Sequence, residues 1–262
     1  MEDNILEKMP IGPLFFRMTI PAVLSQMINI LYNLVDKMFI GRIPGEGAKA
    51  LAGLGVTTPV ILFLSAFAAL VSMGGAPKAA IALGKNEKNL AERIMGSCVA
   101  MLLLMSVVLT IVMLIWGENI LLIFGASKNT IKYAVEYMNI YCLGTVFIQI
   151  ALGLNTFIST QGFTKISMIN VGIGAVINIA LDPILIFTFD MGVKGAALAS
   201  IIAQGVSTLF ALNFLFGKKS ILKIRKRYLK LDKKIVGSIL ALGIAPFIMQ
   251  ATESLVLVSL NN

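Results

Sequence analysis

The 262-residue sequence has no histidine, two cysteines, one tryptophan and only 13% charged residues. Each shortage removes a class of function. Without histidine there is no imidazole metal ligand, no histidine proton relay and no histidine general base. Cys98 and Cys142 sit in separate apolar stretches, far from any CxxC spacing, so packing suits them better than a disulfide or a metal. No HExxH, GxSxG or Walker-type loop occurs, which leaves an intramembrane enzyme without a motif. The scarcity of charge decides most. Soluble domains carry about a quarter charged residues, whereas here 58% are hydrophobic and mean hydropathy is +0.90. A single soluble core does not hide that much apolar surface. The composition predicts an all-α, polytopic transmembrane helix bundle.

What is present is organised in spans of about 20 apolar residues. They are expected at roughly 14–40, 50–76, 91–116, 130–158, 165–189 and 193–217, with a seventh from about 235 onward. Gly, Pro, Asn and Asp collect between them, in "GRIPGEG", "LGKNEKN", "GENILLIFGASKN" and "FDMGVKG". The opening "MEDNILEKMPIGPLFF" is acidic and lacks a basic region and a small-residue cleavage site, so the first span is expected to remain as a helix. Net charge is +9, but its distribution argues against nucleic acid as a partner. With the N-terminus in the cytoplasm, Lys8, Arg17, Lys78, Lys85, Lys88, Arg93, Lys165 and nine basic residues between Gly217 and Ile235 fall inside. Only Arg42, Lys49, Lys128, Lys132 and Lys194 fall outside. That bias sets the orientation at a cell membrane, and it makes membrane lipids the partner of the basic run, as a linker resting on anionic headgroups.

A weak internal repeat, "IPAVLSQMINILYNLVDK" against "IAPFIMQATESLVLVSLNN", aligns Pro21 with Pro246 and Asp36 with Asn261. It predicts a six-helix lobe over 1–217, a basic cytoplasmic linker over 218–234, and over 235–262 the first helix of a second, pseudo-symmetric lobe. The rest of that lobe would come from the same chain continued or from a second chain.

Polar residues inside the spans carry the chemistry. In the first span Gln26, Asn29, Asn33 and Asp36 recur at spacings of three and four, which places them in one stripe. An Asp at mid-span costs about 2.5–3.5 kcal/mol on insertion scales unless it faces the bundle interior. The fifth span repeats the pattern with Asn170, Gly174, Asn178 and Asp182. The fourth offers Tyr133, Tyr137 and Tyr141, and the sixth Ser200, Gln204 and Ser207. Counted from the outer ends of their spans, Asp36, Asp182, Tyr137 and Ser200 all fall roughly 7–11 Å deep at 1.5 Å per residue. Two carboxylates among amides and hydroxyls either share a proton or hold a hard monovalent cation such as Na+. Plainer roles stand beside this one. Asn178 and Asp182 suit interhelical hydrogen bonding, Asp36 can pair with Lys37 or reach water, and the tyrosines can be packing or interface anchors. Glu136 is expected to be solvated at the rim. Met27, Met38, Met73 and Met113 offer adaptable apolar walls, or ordinary packing. Pro183 is expected to free a carbonyl near Ile179 and kink the chain beside Asp182.

The stretches "IPAVLSQMINILYNLVDKMFIG", "LGVTTP", "TQGFTKISMINVGIGAVINIALDPILIF" and "GVKGAALAS" resemble the first lobe of multidrug and toxic compound extrusion (MATE) transporters, in particular a bacterial branch. The resemblance covers nearly the whole chain. It implies one of two six-helix lobes of an antiporter that exports small organic cations and other drugs in exchange for Na+ or H+, with no other cofactor. It also implies that Asp36, Tyr137, Asn178, Asp182 and Ser200 form the coupling-ion network, supported by Asn33, Asn29, Gln26 and Gln204. Ser200 stands where the family commonly has threonine. Glu253 is similar to a seventh-helix carboxylate of another branch, at a different offset from the proline. Two other readings remain: a related flippase for lipid-linked oligosaccharides, which calls for a groove lined by Arg and Lys, and a non-transporting, half-length membrane fragment.

Overall fold

The computed structural model describes residues 10–261. The acidic stretch 1–9 with Lys8, and Asn262, lie outside the described residues, as does the side chain of Asn261. Among the described residues the chain forms eight α-helices and no strand. They are α1 (Ile11–Gly41), α2 (Gly47–Gly84), α3 (Lys88–Ile123), α4 (Ile131–Leu143), α5 (Thr145–Thr160), α6 (Thr164–Pro183), α7 (Val193–Phe216) and α8 (Lys233–Asn261). Six helices, or seven spans if the bent α4–α5 pair is one, are long and apolar enough to cross a membrane. This is a multi-pass membrane protein.

Each expected span is present, and the fourth differs in form. Instead of one helix over 130–158, α4 and α5 meet at Gly144 with a bend of 61°. Neither proline nor a polar run marks the break. A Cβ on Gly144 would lie 2.4 Å from Ile201 Cγ1 of α7, so the side chain of another helix occupies the place where a larger residue would sit. Carbonyls near the bend find side-chain donors: Thr110 Oγ1 donates to Cys142 O at 3.0 Å and Thr208 Oγ1 to Phe147 O at 2.8 Å. Backbone groups in hydrocarbon need such partners. Beyond Pro183, α6 continues as a π-helical turn, Ile184–Thr188, closed by Phe189 N–H to Ile184 O at 3.0 Å. The expected kink beside Asp182 thus takes the form of a widened turn.

Two buried apolar clusters divide the bundle along its length. One gathers Val71, Met95, Leu102, Leu154, Phe157 and Leu215. The other gathers Ile40, Val60, Leu64, Leu121, Met138 and Ile186. Helix α1 is peripheral, and its buried residues are Pro21, Asp36 and Ile40. An aspartate among three buried positions of an otherwise exposed, apolar helix marks where that helix turns toward something polar.

The basic run does not rest loosely on the surface. Leu222 is fully buried in the first cluster and Ile224 nearly so. Gln161 Oε1 accepts from Ser220 Oγ at 3.0 Å and from the Leu222 amide at 2.8 Å. Arg225 Nε lies 2.6 Å from Glu92 Oε2, and Glu92 is wholly buried. Ser97 Oγ donates to Lys230 O at 3.0 Å, and Arg93 pairs with Asp232 at 2.8 Å. Residues 218–232 form a strap stitched across the start of α3 and the end of α5.

Helix α8 then runs along α2 with backbone-to-backbone contact. A Cβ on Gly74 would meet Ile239 O at 2.2 Å, and one on Gly243 would meet Leu70 O at 1.8 Å. Only glycine permits that crossing. Ser254 Oγ donates to Pro59 O at 2.7 Å, and the Phe67 and Phe247 rings pack edge-on with centroids 5.1 Å apart.

Candidate functional site

Between the two apolar clusters lies a cavity of about 430 Å³, bordered by polar faces of α1, α4, α5, α6 and α7 and by Ile61 of α2. Local sequence explains why each helix turns a polar residue into it. On α1, Asn29, Tyr32, Asn33 and Asp36 recur every three or four residues and all line the cavity. On α6, Asn170, Gly174 and Asn178 do the same one turn apart. Gly174 is there for proximity: a Cβ would sit 2.5 Å from Ser207 Oγ, so glycine lets α6 and α7 close up. The bend at Gly144 has its own effect. Tyr137 and Asn155 are five turns apart, which on a straight helix is about 27 Å. The bend allows both to border one cavity.

At the acidic pole the carboxyls of Asp36 and Asp182 meet side chain to side chain. Asp182 is fully buried and Asp36 is 8% exposed. Asn178 Nδ2 lies 3.4 Å from Asp182 Oδ1 and 3.4 Å from Ser200 Oγ, donating toward both. The Tyr137 hydroxyl is turned to Ser200. Its ring stacks on Tyr141 at 5.7 Å between centroids with 21° between planes. Yet Asp36 Oδ1, Asp182 Oδ2 and Asn178 Oδ1 are buried acceptors without a donor. Ionised carboxylates are acceptors only. Two of them in contact need a proton between them or a cation beside them.

Of the residues singled out from sequence, Asp36, Asp182, Asn178, Tyr137 and Ser200 come together here. Asn29, Asn33 and Gln204 line the same cavity, and Asn33 Nδ2 donates to Asn29 O at 2.7 Å. Gln26 is exposed one turn further along α1 and does not line it. Lys37 is also exposed, so Asp36 turns inward, away from the plainer role of reaching water. Met27, Met38 and Met73 are exposed and Met113 is buried in the second apolar cluster, so none forms a cavity wall. Glu136 is not simply solvated: Lys194 Nζ stands 3.8 Å from it, tying α4 to the start of α7.

Sequence reasoning missed Tyr32, Asn155 and Thr156, which also line the cavity. Asn155 had a signal. It is a lone amide inside "ALGLNTF", and such residues seldom face lipid. Asn170 Nδ2 donates to Asn155 Oδ1 at 3.2 Å and Ser207 Oγ to Asn170 O at 3.3 Å, forming a neutral pole opposite the acidic one. The cavity lining includes no Lys or Arg. Among the described residues no group of three or more Cys, Asp or Glu side chains is placed to hold a metal.

Known proteins resemble this chain in sequence and in fold. The multidrug export protein MepA of Staphylococcus haemolyticus is 27% identical over 252 residues, covering 95% of this chain and 55% of that protein. The chain therefore spans about half the length of the curated relatives it matches. The outward-facing conformation of a multidrug resistance MATE family transporter of the MOP superfamily matches with TM-score 0.83 and 28% identity, over 90% of this chain and 52% of that one. An inward-facing conformation of a transporter so described matches with TM-score 0.81 and 27% identity, over 92% and 55%. The family profile described as MatE covers residues 21–184, from the buried proline of α1 to the π turn after Asp182. The chain belongs to the MatE family, whose members are transporters and not enzymes.

Proposed function

We propose that this chain is one lobe of a secondary active multidrug efflux antiporter, exporting lipophilic, often cationic compounds in exchange for Na+ or H+. The observation that carries the reading is the Asp36–Asp182 contact, with a donorless buried oxygen on each carboxyl, at the edge of a polar cavity. Such a pair has two stable conditions: loaded with a proton or cation, or exposed to water and empty. Asn178, Ser200 and Tyr137 hold the pair in place and supply oxygen ligands. Tyr32, Tyr137 and Tyr141 give an organic cation aromatic faces beside the acidic pole. An arriving drug cation and the coupling ion then compete for the same negative charge, which is the requirement for exchange.

The similar match to outward-facing and inward-facing relatives, 0.83 and 0.81, supports a lobe that keeps its internal packing while its surroundings rearrange. The remaining lobe comes from the same chain continued or from a second chain. The membrane is the cell membrane, with the N-terminus and the strap on the cytoplasmic side. The absence of Lys and Arg from the cavity lining argues against a pyrophosphate-bearing flippase substrate.

The test is uptake of a fluorescent organic cation into everted vesicles bearing the assembled transporter, driven separately by a Na+ gradient and by a pH gradient. One gradient should drive uptake, and Asp36→Asn or Asp182→Asn should abolish it. Undiminished gradient-driven uptake in both variants would remove the coupling role.

A further inference from the structure

Helix α3 has 36 residues and rises about 54 Å, more than the ~40–45 Å of a bilayer with its headgroups. Its first turns therefore reach headgroup level, and the strap is bound there, along Glu92, Arg93, Gly96 and Ser97. The strap has two faces. Ser220, Leu222 and Ile224 point into the protein. Outward it presents Leu229 and Leu231, 36% and 49% exposed, interleaved with exposed Lys226, Arg227 and Lys230. Nine basic residues between 217 and 235 meet one acidic residue, Asp232, whose charge is taken by Arg93. Arg225 is taken by Glu92. Arg227 lies 4.5 Å over the Tyr228 ring, beside a second cavity of about 410 Å³ that Arg93, Arg227 and Lys230 border.

Exposed leucines alternating with unneutralised cations suit neither water nor hydrocarbon alone. They suit a surface with negative headgroups above and acyl chains below. A soluble polyanion would match the charges and leave the leucines without a partner. We propose that the strap and the start of α3 form a binding site for anionic phospholipid, with the headgroup phosphate on Arg227 and Lys230 and the acyl region against Leu229 and Leu231. This does not rest on the antiport reading, since a lobe that transports nothing would bind the same lipid. It gives the basic run a defined lipid site rather than a diffuse attraction.

The experiment uses the 262-residue chain with Trp116→Phe and Leu231→Trp, reconstituted in nanodiscs of phosphatidylcholine and phosphatidylglycerol. Brominated versions of each lipid quench the new indole in proportion to their occupancy beside it. Quenching should favour brominated phosphatidylglycerol, weaken with salt, and lose up to about fivefold in preference for each charge removed among Lys226→Gln, Arg227→Gln and Lys230→Gln. Should the triple variant elute as aggregate, Lys230→Gln alone carries the comparison. Equal quenching by both lipids at low salt overturns the proposal. So does an unchanged preference in the variants. Loss of phosphatidylglycerol quenching to an equimolar short DNA duplex would assign the strap to a soluble polyanion instead.

Discussion

Replacing Asp182 by asparagine tests the acidic pole most directly. The side chains are nearly isosteric, so no cavity opens at this fully buried position. Two ionised carboxylates about 4 Å apart repel by about 4 kcal/mol at an effective dielectric near 20. A proton or cation that binds the folded pair but not the unfolded chain removes that repulsion, and at a hundred times its dissociation constant adds about 2.7 kcal/mol of stability. At about 2–4 °C per kcal/mol, wild-type protein should gain roughly 5–10 °C in Tm when the coupling ion is supplied. The sign is fixed by linkage: the ligand that binds the native state stabilises it, so Tm rises with added Na+ if sodium couples, or as pH falls if protons do. Asp182→Asn removes one charge and offers an amide donor to the donorless Asp36 oxygen. The variant should melt at least as high as loaded wild type and respond to neither ligand at this site. The assay is thermal unfolding in detergent at two pH values, each with Na+ or with an organic cation of similar ionic strength. Identical pH and Na+ responses in wild type and Asp182→Asn would refute the reasoning.

Other consequences are simpler to state. Arg225→Ala strands the buried Glu92 carboxylate and should cost about 3–5 kcal/mol, whereas Glu92→Gln releases an arginine that is already 44% exposed and should cost much less; comparing melts of the two variants checks the asymmetry. Gln161→Leu leaves the Leu222 amide short of an acceptor, at about 1–3 kcal/mol, while the Ser220 hydroxyl keeps Leu222 O at 2.6 Å; limited trypsin digestion should cut at Lys223 sooner. Gly243→Val drives a side chain into the α2 backbone at Leu70 and should cost at least about 3 kcal/mol, read as loss of the monodisperse gel-filtration peak.

The spans were legible because hydropathy over about 20 residues reports the solvent directly, whatever the neighbours do. The acidic pole was legible for a related reason: hydrocarbon penalises Asp36 and Asp182 so strongly that their spacing reveals which face turns inward. Periodicity identifies a face but not where along it the cavity ends, and so Gln26 continued the stripe past the last cavity residue. The bend at Gly144 left little trace, because its cause is Ile201, fifty-seven positions away in sequence. In the strap, nine positive charges obscured a weaker signal, the alternation of Ser220, Leu222 and Ile224 that buries one edge of an extended segment. The methionines failed as walls since composition says what a side chain can touch and topology says what it does.

The crossing of α2 and α8 limits how these two helices move against each other. Where glycine meets backbone, sliding by one turn would force Leu70 or Ile239 into a gap sized for a hydrogen atom. Phe247 on Phe67 and Ser254 on Pro59 fasten the same two helices about one and three turns further along α8, so swivelling about Gly74 and Gly243 is resisted as well. The seam therefore behaves as a weld. Any tilt of α8 carries α2 with it.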